Sequence, residues 1–259
     1  MSYPNIQYLN YGKEKVSGST KNVALGQIAV LPDGRLYQYG KASTATAISA
    51  GYLCCGSVIT DAGTSVEFGL VAATAAVGDT AVVVTLAAGT AVTANQFQDG
   101  FLVTASSTGT GIGREYKIAS NGSAAAGSAC TITLETSDPI ETAIAGGTTR
   151  VGLRENLFNN VVINPAVTSL PGEIIGIPPV NLAAGYYGWF QIKGKATALM
   201  STGTALVTGD LVVASSGYAG AVGIVYAGTA LEARRILTVG QAVGTANTTG
   251  FTVVNLRLV

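Results

Sequence analysis

Hydrophobic and polar residues alternate with a period of two along most of this chain. The alternating runs are rich in Val, Ile, Thr and Tyr, and Gly, Asp, Asn or Pro separates them at intervals of roughly ten residues, which is typical of strands joined by turns. No stretch sustains the helical period of about 3.6 residues. The pattern therefore predicts an all-β fold, with strands around Trp189 and near residues 27–31, 35–41, 51–59, 66–72, 79–86, 100–105, 116–119, 129–135, 210–214, 221–226, 235–242 and 251–258.

The strand around Trp189 holds the only tryptophan of the chain and three further rings nearby. Trp189 and Phe190 are adjacent, so a strand places them on opposite faces. Large rings bury more apolar area than the Ala, Val and Thr that dominate elsewhere. We therefore predict that Tyr186, Tyr187, Trp189 and Phe190 anchor the core, and that Gly194 marks a bend or bulge in their strand.

Turn signals and composition divide the chain into an arm and two β-domains. Residues 1–22 form an N-terminal arm expected to become ordered against a neighbouring surface. Residues 23–64 and 154–259 form the main β-domain, a barrel or sandwich, and residues 65–153 form a second, inserted β-domain. The tyrosines expected to serve the arm in assembly are Tyr3, Tyr8 and Tyr11.

A stretch rich in Asn and Pro, residues 154–184, is predicted to be a linker that crosses the main domain. It contains Asn-Asn, Asn-Pro, Pro-Gly and Pro-Pro dipeptides, which are typical of turns. Two short hydrophobic runs inside it, residues 161–163 and 174–175, are predicted to pair with each other as strands.

The low content of charged residues limits the classes of protein that fit. Only 11% of residues are charged, the formal net charge is zero and the mean hydropathy is +0.42, whereas about 25% is a typical charged fraction. Such a surface favours an obligate oligomer in which other subunits cover it. No basic stripe is present, so no nucleic-acid partner is expected. No run of about 18 apolar residues is present, so no membrane span is expected.

Candidate chemistry is scarce. The chain has no histidine, which excludes Ser-His-Asp and Cys-His catalysis and every metal site that uses histidine. Cys54, Cys55 and Cys130 lack the Cys-x-x-Cys spacing of metal and redox sites and are predicted to be buried, reduced thiols. The chain opens without a signal-peptide pattern, so we expect assembly in a reducing cytoplasm.

Two motifs resemble sites but fit turns better. Residues 109–113 are rich in Gly, but a strand rather than a helix follows them, so a hairpin loop is expected instead of a phosphate-binding loop. An acidic trio is expected to solvate a turn rather than to bind calcium or cleave a glycoside. Carbohydrate binding remains an alternative, although aromatic platforms are scarce outside residues 186–190. We predict no catalytic residue, no metal and no cofactor; the acidic trio is Glu135, Asp138 and Glu141.

The order of several motifs resembles that in structural proteins of tailed double-stranded-DNA phages. An aromatic strand, a Gly-Lys-Ala segment, a Gly-Asp turn before an apolar strand and a late hairpin are similar to those of capsid decoration, or cement, proteins. The motifs that carry the resemblance are residues 77–80, 98–103, 111–118, 131–134, 187–191 and 209–212.

This resemblance implies a virion structural protein that is not an enzyme and that binds the outer surface of a phage head. The implied partners are the major capsid protein and further copies of the chain, expected as a homotrimer. The implied location is the capsid surface, after assembly in the host cytoplasm. A tail-tube subunit, or a head fibre or receptor-binding adhesin, is the alternative within the virion, and a virion-associated hydrolase is the alternative among enzymes.

Overall fold

A computed structural model describes residues 6–56, 66–89, 91–104, 108–166, 172–201, 205–224, 238–244 and 250–258. Almost all of its regular structure is β, and the predicted all-β class is confirmed. The described strands are β1 (Ile6–Tyr8), β2 (Ile28–Val30), β3 (Leu36–Lys41), β4 (Cys54–Cys55), β5 (Val66–Ala72), β6 (Ala81–Thr85), β7 (Phe101–Thr104), β8 (Glu115–Asn121), β9 (Ala129–Leu134), β10 (Arg150–Arg154), β11 (Val162–Ile163), β12 (Ile174–Gly176), β13 (Tyr187–Leu199), β14 (Leu211–Ala214), β15 (Val222–Ile224), β16 (Thr238–Ala242) and β17 (Phe251–Arg257). A single 3₁₀ turn at Lys13–Lys15 is the described helical element.

One compact unit consists of Met1–Val58 and Leu157–Val259. Its largest element is an eight-stranded sheet in the order β1-β2-β3-β13-β17-β16-β14-β15. The long strand β13 pairs with β3 along its first half and with β17 along its second half. The register to β3 shifts between Gln191 and Lys193, and Gly194 has a φ of 89°. The predicted bend in this strand therefore lies at the point where β13 changes its neighbour.

A three-stranded sheet in the order β11-β4-β12 also belongs to this unit. The sequence predicts that residues 161–163 and 174–175 pair with each other, and that prediction is wrong. Both segments pair with β4, one along each edge. With β4 in the centre of the sheet, its backbone forms hydrogen bonds along both edges. If β11 and β12 paired directly with each other, at least one edge of β4 would lack a partner.

The other compact unit is Ile59–Asn156, inserted within the first. Its six strands close into a barrel in the order β10-β5-β6-β9-β8-β7. Strands β6 and β9 alternate exposed and buried residues, and the buried set fills the barrel interior. Strand β10, which the sequence pattern does not predict, closes the barrel by pairing with both β5 and β7. Residues 109–113 lie in the connection between β7 and β8, an antiparallel pair, as the hairpin prediction requires.

A four-residue turn of the same type precedes many of the strands. These turns occur in pairs whose first residues bond to each other through the backbone. Each turn begins with an Ala, Val, Ile or Leu, and its fourth residue is Gly or Asn with φ between 59° and 92°. This left-handed conformation is easy for Gly and tolerated by Asn. The first residues of two facing turns exchange both backbone hydrogen bonds, at 2.8–3.2 Å. The pairs are residues 48–51 with 182–185, 75–78 with 144–147, and 92–95 with 124–127.

The barrel interior supplies a first testable prediction. Tyr116 is 1% exposed, and its hydroxyl has no hydrogen-bond partner among the described residues. A buried hydroxyl without a partner carries a desolvation penalty, so Tyr116→Phe should leave the free energy of unfolding unchanged or raise it by about 1 kcal/mol. Urea unfolding of the full chain measures this change.

The matched control is Tyr37→Phe. The Tyr37 hydroxyl accepts from Arg35 Nη1 at 3.0 Å and donates to Gln191 Oε1 at 3.3 Å. Its loss should destabilise the chain by about 1–2 kcal/mol. A comparable loss of stability in Tyr116→Phe would show that the Tyr116 hydroxyl has a stabilising partner.

Candidate assembly surface

The first half of β13 is buried on both faces. Trp189 is 6% exposed and Phe190 is fully buried, and the two rings belong to different hydrophobic clusters. Phe190 packs with residues that include Cys54 and Ile175 of the three-stranded sheet. Trp189 packs with Tyr39 and other residues on the opposite side. Because a strand sends successive side chains to opposite faces, this pair of rings joins two separate clusters through one backbone.

Three rings form a compact aromatic group on the Trp189 side. The ring of Tyr39 stacks on Tyr187 with centroids 6.0 Å apart and meets Trp189 edge to face at 5.0 Å. The backbone N–H of Asn22 donates to the Tyr39 hydroxyl at 3.3 Å. Such aromatic contacts contribute about 0.5–1.5 kcal/mol beyond the burial of area. The three rings form an apolar platform, called the aromatic platform below.

The N-terminal segment, defined here as residues 6–25, lies on this platform. Its strand β1 pairs in parallel with β2. Leu9 and Leu25 are buried in the same cluster as Trp189. Gly18 and Tyr187 exchange both backbone hydrogen bonds, at 3.1 and 2.8 Å. From the sequence we expect this arm to become ordered against a neighbouring surface. Its described part instead packs on its own sheet, where Leu9 and Leu25 bury apolar area against the aromatic rings.

An open groove of about 420 Å³ runs between the N-terminal segment and the aromatic platform. Tyr39 and Trp189 line it from the sheet, and Tyr8, Lys13 and Val16 line it from the segment. Tyr8 is 81% exposed and Val16 is 52% exposed. Tyr11, in the same segment, is 61% exposed. The exposed ring of Tyr8 and the exposed side chain of Val16 therefore border a concave surface with an aromatic floor.

The predicted site residues divide between core and surface. Trp189 and Phe190 are core residues, Tyr187 is half-buried and Tyr186 is 38% exposed. Tyr8 and Tyr11 lie on the outer side of the N-terminal segment, and Tyr3 lies outside the described residues. The structure brings Tyr8 and Trp189 together around one groove. Tyr39 is not among the predicted site residues, although its position in an aromatic strand of alternating pattern is a signal that could have identified it.

A polar network supports the bulge of β13. Arg35 Nη1 donates to the Tyr37 hydroxyl, which in turn donates to Gln191 Oε1. The amide nitrogen of Gln191 donates to the carbonyls of Lys193 and Lys195 at 3.1 and 3.0 Å. The bulged backbone thus keeps its hydrogen bonds although its ladder is interrupted. Burial raises the pKa of Tyr37 to about 12.

The remaining candidate residues have structural surroundings. Cys54, Cys55 and Cys130 are buried thiols, and Cys54 and Cys55 belong to different clusters, as strand alternation predicts. Asp138 accepts a hydrogen bond from the Lys117 backbone at 2.6 Å. The Glu141 carboxylate pairs with Arg114 at 3.0 Å. Among the described residues, no group of three or more Cys, Asp or Glu side chains is placed to hold a metal ion.

Comparisons with known proteins add no relative. No family model matches the chain, and neither a curated protein nor a solved structure matches it. Within the part of the chain that the structure describes, no helix has the length and apolar character needed to cross a membrane.

The aromatic strand supplies a second testable prediction. Phe190→Ala should lower the free energy of unfolding by about 3–5 kcal/mol, because it leaves a cavity between β13 and the three-stranded sheet. Phe251→Ala is the matched control, since its ring is 54% exposed. Phe251→Ala should lower the free energy of unfolding by at most about 1.5 kcal/mol, which is half of what burial of a complete phenyl ring contributes. Equal losses in the two variants would show that Phe190 is not an anchor of the core.

A third prediction concerns alkaline pH. Burial raises the pKa of Tyr37 from 10.0 to about 12 and that of Cys55 from 9.0 to about 11. Both groups stay protonated in the folded chain at a pH at which the unfolded chain ionises. Their contribution to stability is therefore fully present below pH 9 and is lost as pH rises through 11 and 12. The slope of the free energy of unfolding against pH is proportional to the number of extra protons that the folded state binds.

The measurement is urea unfolding at a series of pH values from about 8 to about 12. In Tyr37→Phe the decline above pH 10, the ordinary pKa of tyrosine, should be shallower than in the parent chain. A flat stability across this range, or an unchanged slope in Tyr37→Phe, would contradict the burial of these groups.

Proposed function

We propose that the chain is a virion structural protein, a capsid decoration subunit that binds the outer surface of a tailed-phage head and stabilises it. The observation that carries this proposal is the display of Tyr8, Tyr11 and Val16 on a folded N-terminal segment, with exposed fractions of 81%, 61% and 52%. The resemblance of the motifs to those of phage decoration proteins supplies the class of partner.

Exposed rings on an ordered segment favour a protein–protein contact. Large apolar side chains grouped at a concave surface mark interaction sites more often than single exposed ones do. Tyrosine is enriched at interfaces because it combines a rigid apolar ring with a polar tip. The groove beside Tyr8 has an aromatic floor formed by Tyr39 and Trp189. A side chain of the major capsid protein would enter this groove while Tyr8 and Tyr11 pack on the capsid around it.

The charge of the chain supports a permanent place in an assembly. With 11% charged residues and a net charge of zero, little electrostatic repulsion opposes association. Few ions have to be desolvated when such a surface becomes covered. We therefore propose that the chain forms a homotrimer that binds where capsid subunits meet. Binding of this trimer to the assembled shell and not to free subunits would stabilise the shell by mass action.

The packing of the N-terminal segment determines how the proposal must be tested. Deletion of residues 1–22 would remove Leu9 and the hydrogen bonds between Gly18 and Tyr187, and would uncover Trp189. A truncated chain would therefore lose stability as well as any contact to a partner. Substitution of the exposed rings separates the two effects, since surface changes usually alter stability by about 0.5 kcal/mol or less.

A fourth prediction tests the proposal with the double variant Tyr8→Ser/Tyr11→Ser. Purified variant and parent chain are mixed with undecorated phage heads, and bound copies are counted by cryo-electron microscopy. The variant should bind with an affinity lowered by about tenfold or more, because central tyrosines are common hot spots of binding. Its thermal unfolding should match that of the parent chain.

The control for this experiment is Tyr218→Ser, which changes another exposed tyrosine (49%) at a different position on the surface. It should occupy heads as the parent chain does. Equal occupancy by the double variant would remove Tyr8 and Tyr11 from the interface. Failure of the parent chain itself to bind heads would refute decoration in favour of a tail or fibre role.

A further inference from the structure

The second half of β13 presents a face that no other described segment buries and that the proposed attachment surface does not use. Here exposed residues alternate with the buried Ala196 and Ala198. The neighbouring strand β17 shows the same alternation. The register places exposed residues directly opposite each other in the pairs Lys193 with Arg257 and Thr197 with Val253. It places the exposed Lys195 opposite the half-buried Asn255, and the exposed Phe251 opposite the half-buried Leu199.

Positive charge is concentrated at one end of this face. Lys193, Lys195 and Arg257 are exposed and form no ion pair with any described residue. Lys193 and Arg257 are direct cross-strand partners, an arrangement of like charges that destabilises a sheet. The sequences of β13, β14, β16 and β17 contain no Asp or Glu. Among the described residues, like charges therefore face each other at this end of the sheet, which costs stability in the isolated chain.

Apolar side chains occupy the other end. Phe251 is 54% exposed and Val253 is 42% exposed. The Phe251 ring lies over Gly51, where an added Cβ would come within 2.7 Å of it. Gly51 has a φ of 79°. The absence of a side chain at Gly51 leaves room for the ring, about half of whose surface stays exposed.

We infer that this face binds an acidic polypeptide segment of a partner protein, with carboxylates over Lys193, Lys195 and Arg257 and apolar side chains over Phe251 and Val253. The length of the face determines how long the bound segment can be. Lys193 and Leu199 are six residue steps apart along β13, which corresponds to about 20 Å at the rise per residue of a β-strand. An extended segment of about seven residues covers that length.

The mixed character of the face favours a polypeptide over a nucleic acid. A nucleic-acid strand carries a phosphate at every residue and is bound by cations distributed along its whole path. Here the cations occupy one end, and the other end offers aliphatic and phenyl groups at which phosphates gain nothing. Only a chain that combines acidic and apolar side chains complements both ends.

The test measures binding of fluorescein-labelled peptides to the full chain by fluorescence anisotropy. The first peptide is extended and alternates serine with glutamate in its first half and serine with valine in its second half. A second peptide has lysine in place of glutamate, and a thymidine oligonucleotide of equal negative charge is the third probe. The first peptide should bind, and its affinity should fall as NaCl rises from about 0.05 M to about 0.5 M because exposed charges are screened.

Two variants separate the ends of the face. Lys195→Glu/Arg257→Glu should weaken binding of the glutamate peptide by about tenfold and reduce its salt dependence. Phe251→Ser should weaken binding several-fold at every salt concentration, since it removes an apolar contact. The matched control is Arg150→Glu, which reverses an exposed cation in the barrel unit and should bind as the parent chain does.

Three outcomes would overturn the inference. Equal weakening in Arg150→Glu would assign the binding to general attraction of charge. Tighter binding of the oligonucleotide than of the glutamate peptide would make this face a nucleic-acid surface. Loss of self-association in Lys195→Glu/Arg257→Glu by sedimentation, without any peptide binding to the parent chain, would make it a contact between copies. None of these outcomes bears on head binding by Tyr8 and Tyr11, so the two proposals fail separately.

Discussion

Burial of the first half of β13 on both faces is the constraint on which the main unit depends. Trp189 and Phe190 are adjacent, so each needs a separate apolar cover. The three-stranded sheet contributes to the cover of Phe190, and the N-terminal segment contributes to that of Trp189. In a chain with 7% aromatic residues, these two rings supply much of the apolar area available near the centre of the sheet. Without the N-terminal segment, Trp189 would lose the part of its apolar cover that Leu9 and Leu25 supply.

The same constraint explains how folding and the proposed attachment are linked. In the N-terminal segment Leu9 points into the core beside Trp189, while its neighbour Tyr8 is exposed. The contact that stabilises the sheet therefore also fixes the ring offered to a partner. Beyond the bulge supported by Gln191, β13 is buried on one face only. Its exposed residues there become a second surface of different chemistry, cationic at one end and apolar at the other.

The sequence predicts the strands of this molecule better than their partners. Alternation and turn residues identify the all-β class and most strands, because these signals are local. The return of the N-terminal segment depends on three residues of β1 pairing with a strand about twenty residues away, which no local pattern records. Strand β10 was missed because Arg150 and Arg154 border it and Gly152 interrupts its apolar run. The groove could not be predicted, since Tyr39 and Trp189 meet only through the register of β3 and β13.

Hydroxyl-radical footprinting of the free chain and of the chain on undecorated heads tests the central claim most directly, because oxidation reports the solvent exposure of each ring. In the free chain Tyr8 and Tyr11 should react readily, while Tyr39 and Trp189, which are at most 6% exposed, should be protected. On heads, Tyr8 and Tyr11 should become protected as well, with Tyr218 unchanged. Rapid oxidation of Trp189 in the free chain would contradict the covering role of the N-terminal segment. Unchanged oxidation of Tyr8 and Tyr11 on heads would contradict their role in attachment.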